Sequence, residues 1–211
     1  LRTLFKDCPF IRITGLLGTY DDCVTWLTGL KIPRAHDGSV TILWLGNSIA
    51  NVDNQEQASA FLERFGTACE QSRLGCRFVV STDICQKDDK VLEAYDVERP
   101  EYQEFLLNAA EAANTSLGFD AFSLGDWQPD SWLDNYERNL HFYLRARRDL
   151  VVPLGPKNTD SEAVRIRKGE RVRLVTSGKW SEDAMTDLCG RAGFCIRQRW
   201  KDAAGDYCEC H

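Results

Sequence analysis

The run from Ser39 to Leu45 (SVTILWL) sets the tightest limit on what this chain can fold into. It is almost continuously apolar, strand-length, and ends on Gly46 and Asn47, which is how a strand covered on both faces of a parallel sheet reads. Asn54 can then cap a helix from Gln55 to Ser72, in which Ala58, Phe61, Leu62, Phe65 and Cys69 recur at three- and four-residue intervals and so form one apolar face. A second short strand, CRFVVST from Cys76 to Thr82, follows. Two buried strands separated by an amphipathic helix make a β-α-β crossover, and a predominantly parallel sheet is expected.

Upstream, Phe10 to Gly18 (FIRITGLLG) reads as a strand running into a Gly-terminated loop, with Asp21 and Asp22 capping a helix that carries Val24, Trp26, Leu27 and Leu30. After Asp83 the pattern changes to two helices, Lys87 to Tyr95 and Glu101 to Leu117, separated at Arg99-Pro100 because the residue before proline resists the helical conformation. Long alternating stretches, Trp132 to Val152 and Ala163 to Lys179, suit antiparallel strands, with the Pro/Gly-rich VVPLGPKNTD loop between them. Ser181 and Asp183 open a last helix that stops at Gly193, and CIRQRW and DYCECH form a closing strand pair. The expected fold class is α/β: a partial doubly wound sheet in residues 1–85, an inserted α+β unit in 86–179, and a return to the first unit in 180–211.

Composition narrows the function classes. With 211 residues, 43% of them hydrophobic, the chain can bury a substantial core without staples. A net charge of −6 leaves no broad basic field for phosphate backbones, and Arg145, Arg147 and Arg148 alternate with apolar residues as on an exposed strand face, so no nucleic-acid partner is expected. No window is long and apolar enough to span a membrane, and the first residues carry no signal pattern, so a cytoplasmic protein without a membrane partner is expected. Nine irregularly spaced cysteines fit free thiols in a reducing compartment. The tail Cys208-Glu209-Cys210-His211 has zinc-type ligands, but strand alternation puts both cysteines on one face as small apolar residues and no second Cys-x-x-Cys completes a set; no metal is expected.

In an open α/β sheet ligands bind beyond the carboxyl ends of the strands, which directs attention to three loops: GTYDD, GNSIAN and STDIC. The first offers Thr19 and the aromatic face of Tyr20 to a flat ring; the second offers Asn47, Ser48 and Asn51 as uncharged hydrogen-bonding groups. The three histidines, His36, His141 and His211, lie in none of these loops, so no nucleophilic triad is legible and no catalytic side chain is assigned.

The motifs fall in a distinctive order: GLLGTYDD, LWLGNSIANVD, a TDI strand end, EAYD, a helix with Leu107-Asn108, Ala113-Asn114 and Leu117-Gly118, and GERVRLVTSGKW. Together, from about Leu16 to Tyr207, they resemble the histidine-specific N-methyltransferase superfamily, which includes ergothioneine-pathway histidine methyltransferases and fungal methyltransferases of tryptophan and dimethylallyltryptophan. The resemblance implies a Rossmann-like methyltransferase core, S-adenosyl-L-methionine as cofactor and a small-molecule amine as substrate. It implies that Thr19 and Tyr20 contact the adenine end of the cofactor, that Asn51 binds the amino acid near its amine, that Tyr95 holds the amino-acid backbone, and that Ser177 binds substrate from the inserted unit. Such roles suit methyl transfer, an in-line displacement by a neutral amine in which orientation supplies most of the acceleration and no nucleophilic side chain is needed.

Two departures from the family pattern shape the expectation. The glutamate that grips an imidazole two positions before the serine is replaced by Val175, which favours an indole or similarly apolar side chain over histidine. The Gly-rich loop after a first strand and the acidic residue ending a second are not found ahead of GLLGTYDD, so the reading expects the C-terminal part of an N-methyltransferase or, alternatively, a non-catalytic binding module of the same fold.

Overall fold

Parallel pairing of two strands organises the first half of the molecule. In a computed structural model of the chain, which describes residues 15, 17–29, 38–153 and 163–211, helix α1 (Tyr20–Thr28) precedes strand β1 (Ser39–Trp44), a 3-10 turn (Ser48–Ala50), helix α2 (Gln55–Gln71) and strand β2 (Gly75–Asp83). Strands β1 and β2 run parallel from Ser39 opposite Gly75 to Trp44 opposite Val80, with α2 as the crossover. Asn54 caps α2 by accepting from the Gln57 N–H at 2.9 Å. The helix buries Ala58, Leu62, Phe65, Ala68 and Cys69 against Trp44, Phe78 and Val80, and each large side chain so buried contributes about 1.5–3 kcal/mol.

Two expectations are corrected here. Strand β1 is not covered on both faces: among the described residues it lies at the edge of its sheet, and Thr41 and Leu43 are exposed while Trp44 is buried under α2. An apolar run reports a tolerance for burial, not the number of layers that arrive. The cap of α1 is Thr19 rather than the Asp21-Asp22 pair, because a capping box closes between the Thr19 side chain and Asp22. The expected strand from Phe10 lies, through residue 14, outside the described residues; of the expected loop VVPLGPKNTD, Val151 to Pro153 are strand instead, and Leu154 to Asp160 lie outside the described residues.

The middle of the chain builds a second layer. Helices α3 (Asp88–Ala94) and α4 (Pro100–Leu117) are followed by strands β3 (Trp127–Asp134), β4 (Asn139–Ala146), β5 (Leu150–Pro153), β6 (Ala163–Ile166) and β7 (Arg171–Gly178). Pro100 sits in the first turn of α4, where its missing N–H is harmless. Strands β3, β4 and β7 form an antiparallel sheet in the order β3-β4-β7, and β5 and β6 pair separately. The first alternating stretch thus begins at Trp127, five residues ahead of the position expected from the pattern. Leu106 of α4 and Val91 of α3 pack with Leu133, Leu140 and Phe142 of this sheet.

The end of the chain returns to the first sheet. Helix α5 (Glu182–Arg191), capped by Ser181, packs Met185 and Leu188 into the same core as α2. Strand β8 (Arg199–Lys201) is shorter than the CIRQRW segment, and β9 (Tyr207–Cys210) pairs antiparallel with β2, giving the order β1-β2-β9-β8. No helix among the described residues is long and apolar enough to cross a membrane.

Candidate functional site

Strands β1 and β2 end at the same edge, and the residues just past those ends meet the end of β7. Gly46 and Asn47 both take left-handed backbone conformations, φ 79° and 61°, which glycine and asparagine tolerate best. This tight turn drops the buried Asn47 side chain between the two sheets. Its Oδ1 accepts the Asp83 N–H at 2.9 Å and the Thr82 hydroxyl at 3.2 Å. Because a backbone N–H must face the carbonyl oxygen, the amide orientation follows, and Nδ2 donates to Ser177 Oγ at 3.2 Å.

Lys179 is the centre of the cluster. It follows β7, is fully buried, and its Nζ lies 3.0 Å from Asp83 Oδ2, 2.9 Å from Ser177 Oγ and 2.9 Å from the Tyr95 hydroxyl. The same nitrogen is 4.1 Å from the centre of the Tyr95 ring. A buried ammonium is tolerated only when its charge is matched and its hydrogens are placed, and here all three have acceptors. Gly178, next to Lys179, leaves room for the Trp180 ring: a Cβ there would come within 2.5 Å of it. Tyr95 ends α3 and packs edge-on against Tyr102 and at a tilt against Phe142, while its hydroxyl lies 3.4 Å from Asp83 Oδ2. A cleft of about 500 Å³ opens beside it, lined in part by Asp83, Val91, Tyr95, Arg99 and Tyr207. An apolar groove of about 670 Å³ lies elsewhere, between α5 and the β2–β9 face, and none of its lining residues belongs to the polar cluster.

The residues singled out by sequence fall in different places. Tyr95 and Ser177 stand together through Lys179. Val175 is half-buried on the same face of β7 as Ser177, opposite Phe142 on β4, and forms part of the apolar wall around Val91 and Leu106. Asn51 is exposed, ends the 3-10 turn and donates its backbone N–H to Ser48; the amide that reaches Ser177 is Asn47. Thr19 caps α1, and the half-exposed Tyr20 ring lies 4.8 Å from the Trp44 ring and 6.2 Å from that of Phe61. Sequence reasoning passed over Lys179 and Asp83. The available signal was a charged residue flanked by Gly178 and Trp180 two positions from Ser177, and an acid closing a buried strand.

The terminal cysteines do not assemble a metal centre. Cys208 and Cys210 are buried with sulfurs 3.5 Å apart, and burial, then the Cys208 thiol, pushes the Cys210 thiol up to about 12, so a protonated thiol is favoured at neutral pH. Among the described residues no group of three or more His, Cys, Asp or Glu side chains is placed to hold a metal ion.

Comparison with known proteins decides the family. Residues 1–211 match the family described as histidine-specific, SAM-dependent methyltransferases. The chain belongs to this family. It is similar to the N-methyltransferase benX of Aspergillus terreus, with 40% identity covering 98% of this chain and 56% of that protein. It is also similar to the N-methyltransferase dtpB of Aspergillus flavus, with 32% identity covering 94% of this chain and 54% of that protein. The 4-dimethylallyltryptophan N-methyltransferase easF of Epichloe festucae var. lolii is 29% identical over 93% of this chain and 58% of its own length. The chain therefore spans little more than half the length of these relatives.

The family's cofactor can be tested against the residues present. The Tyr20–Trp44 pair presents an aromatic face, and the buried Trp44 Nε1 has no acceptor among the described residues. The half-exposed Tyr20 ring is the accessible part of that pair, and a flat ring such as adenine would stack on it. Among the described residues, that is the feature that would suit the adenine end of S-adenosyl-L-methionine.

Proposed function

We propose that this chain forms the amine-holding part of an S-adenosyl-L-methionine-dependent N-methyltransferase whose substrate is an amino acid with an indole-type side chain. The observation that carries the reading is the Asn47–Ser177–Lys179–Asp83–Tyr95 network, buried at Asn47, Ser177 and Lys179 and part-buried at Asp83 and Tyr95, at the carboxyl ends of the parallel strands, where α/β sheets bind ligands. The cofactor, when bound, supplies an electrophilic methyl group on a sulfonium. Tyr20 would face its adenine, with Thr19 holding the start of α1 in place. The network residues would hold the amino acid by hydrogen bonds that leave the amine lone pair free, so that positioning rather than a side-chain nucleophile accelerates transfer. Val175, with Phe142 and Val91 around it, supports an apolar side chain on the substrate.

The test is competition in a methyl-transfer assay among L-tryptophan, dimethylallyltryptophan and L-histidine, with wild type and Val175→Glu. Burial of an indole against this wall should favour the indole substrates about tens-fold, and Val175→Glu should move the preference toward histidine. Preference for histidine in the wild type, or no movement in the variant, would overturn the substrate assignment.

A further inference from the structure

Strand β2 is paired on both sides over only part of its length. Against β1 it pairs from Gly75 to Val80, but against β9 only from Val80 to Asp83. Backbone groups of successive residues point to opposite edges of a strand. The Gly75 N–H donates to Gly38 and the Ser81 carbonyl accepts from Asn47, both on the β1 side, whereas the Ile84 N–H donates to Asp206 on the β9 side. Odd-numbered residues of β2 therefore face β1, and even-numbered ones face the line of β9. The N–H and C=O of Cys76 and Phe78 thus point at an edge with no strand partner among the described residues, although Phe78 is buried. An unpaired backbone group away from water is costly, so this edge favours a partner that can pair with it.

Beyond the edge lies the apolar groove of about 670 Å³. Strand β9 sits between β2 and β8. Because neighbouring strands lie about 4.8 Å apart, a gap of about 10 Å, wide enough for one strand, remains where β9 ceases to pair. Leu62 and Phe194 form its floor, with the Phe194 ring edge-on to that of Phe78 at 5.0 Å. Burial, then Cys69, pushes the Cys76 thiol up to about 12, so this part of the wall is uncharged at neutral pH. The lining includes Arg77 and Arg197 and, among the described residues, no Asp or Glu side chain.

We propose that this groove receives an extended peptide segment of a protein partner, which adds to β2 as an antiparallel strand and carries an acidic residue between two apolar ones. The direction and register are those of β9, whose line the groove continues. Residues opposite Phe78 and Cys76 exchange backbone hydrogen bonds with β2 and turn their side chains onto the apolar floor. The residue between them stands opposite Arg77, on the other face of the sheet, where a carboxylate forms a favourable cross-strand pair. None of the groove residues belongs to the Lys179 cluster, so occupation leaves the methyl-transfer site untouched.

The probe is a fluorescein-labelled peptide with one glutamate between two valines and threonines on either side, titrated by anisotropy into the full-length protein. Replacing its glutamate by lysine should weaken binding about fivefold or more, and Arg77→Glu in the protein should reverse that preference. N-methylation of both valines, which removes the N–H groups that pair with β2, should abolish binding. At about ten times the dissociation constant, hydrogen exchange at the Cys76 and Phe78 amides should slow about tenfold, while Arg77 and Val79, which face β1, should not change. Equal binding of the N-methylated peptide would mean capture by the apolar floor without strand addition, and overturns the proposal. So does protection of Cys76 and Phe78 before any peptide is added, which would mean that the protein's own chain fills the groove, or protection that grows with protein concentration, which would mean a second copy. Equal binding of the glutamate and lysine peptides overturns the acidic assignment.

Discussion

At the scale of single residues, burial changes what an ionisable group can do. His141 on β4 is buried, shares a hydrogen bond with Thr176 Oγ1 at 2.9 Å and stacks on Trp132. Burial, and secondarily the Arg173 guanidinium, holds its pKa below the ordinary 6.5, with Asp134 and Asp53 opposing weakly. The unfolded chain then binds this proton more readily than the native one, so stability is fully present above about pH 6.5 and is lost as the pH falls toward the depressed native value. Urea unfolding of wild type and His141→Gln between pH 7.5 and 5 should show a shallower decline in the variant. Equal slopes would mean that His141 titrates alike in both states. Around Lys179 burial works through geometry: three acceptors surround its Nζ, a condition invisible in the pattern VTSGKW.

At the scale of elements, α1 shows how a residue proposed to face the cofactor also closes a helix cap. Thr19 Oγ1 accepts the Asp22 N–H, and Asp22 Oδ2 in return accepts from the Thr19 backbone and hydroxyl at 2.7 and 2.9 Å. Those bonds hold the Asp22 carboxyl below its usual range. Thr19→Ala should lower stability by about 1 kcal/mol, as the loss of an N-cap does, and Thr19→Ser should be close to neutral. Chemical denaturation reads both. An unchanged midpoint in Thr19→Ala would mean that the cap contributes nothing to stability.

At the scale of the whole molecule, a few polar contacts, some buried and one half-exposed, join the two sheets. Asn139 at the start of β4 accepts the Trp180 indole N–H at 3.1 Å and donates to the Asp53 carbonyl at 3.1 Å, while Arg173 pairs with Asp53 at 2.7 Å. Asn139→Ala would strand the buried Trp180 N–H, and should cost about 1–3 kcal/mol while leaving unfolding a single transition. Near-ultraviolet and far-ultraviolet circular dichroism followed together against denaturant provide the check. Two separated transitions would mean that this junction alone couples the folding of the two sheets.

Local periodicity was enough to determine the elements of this protein that repeat a pattern over many residues. The apolar stripe of α2, its Asn54 cap, the β2 strand and the Pro100 boundary of α4 are set by neighbours close in the chain, and they stand in the structure as the residues imply. Motif order likewise marked the family before any geometry was known. Only the tertiary structure decided that β1 exposes one face among the described residues, that β9 lies beside β2, and that Asn47 reaches Ser177. The Lys179 cluster belongs to the same class, because its partners come from β2, α3 and β7 and lie up to 96 positions apart, Asp83 to Lys179. Periodicity encodes which face of an element is apolar. It carries no information about which distant ends meet, since that depends on how several elements pack at once.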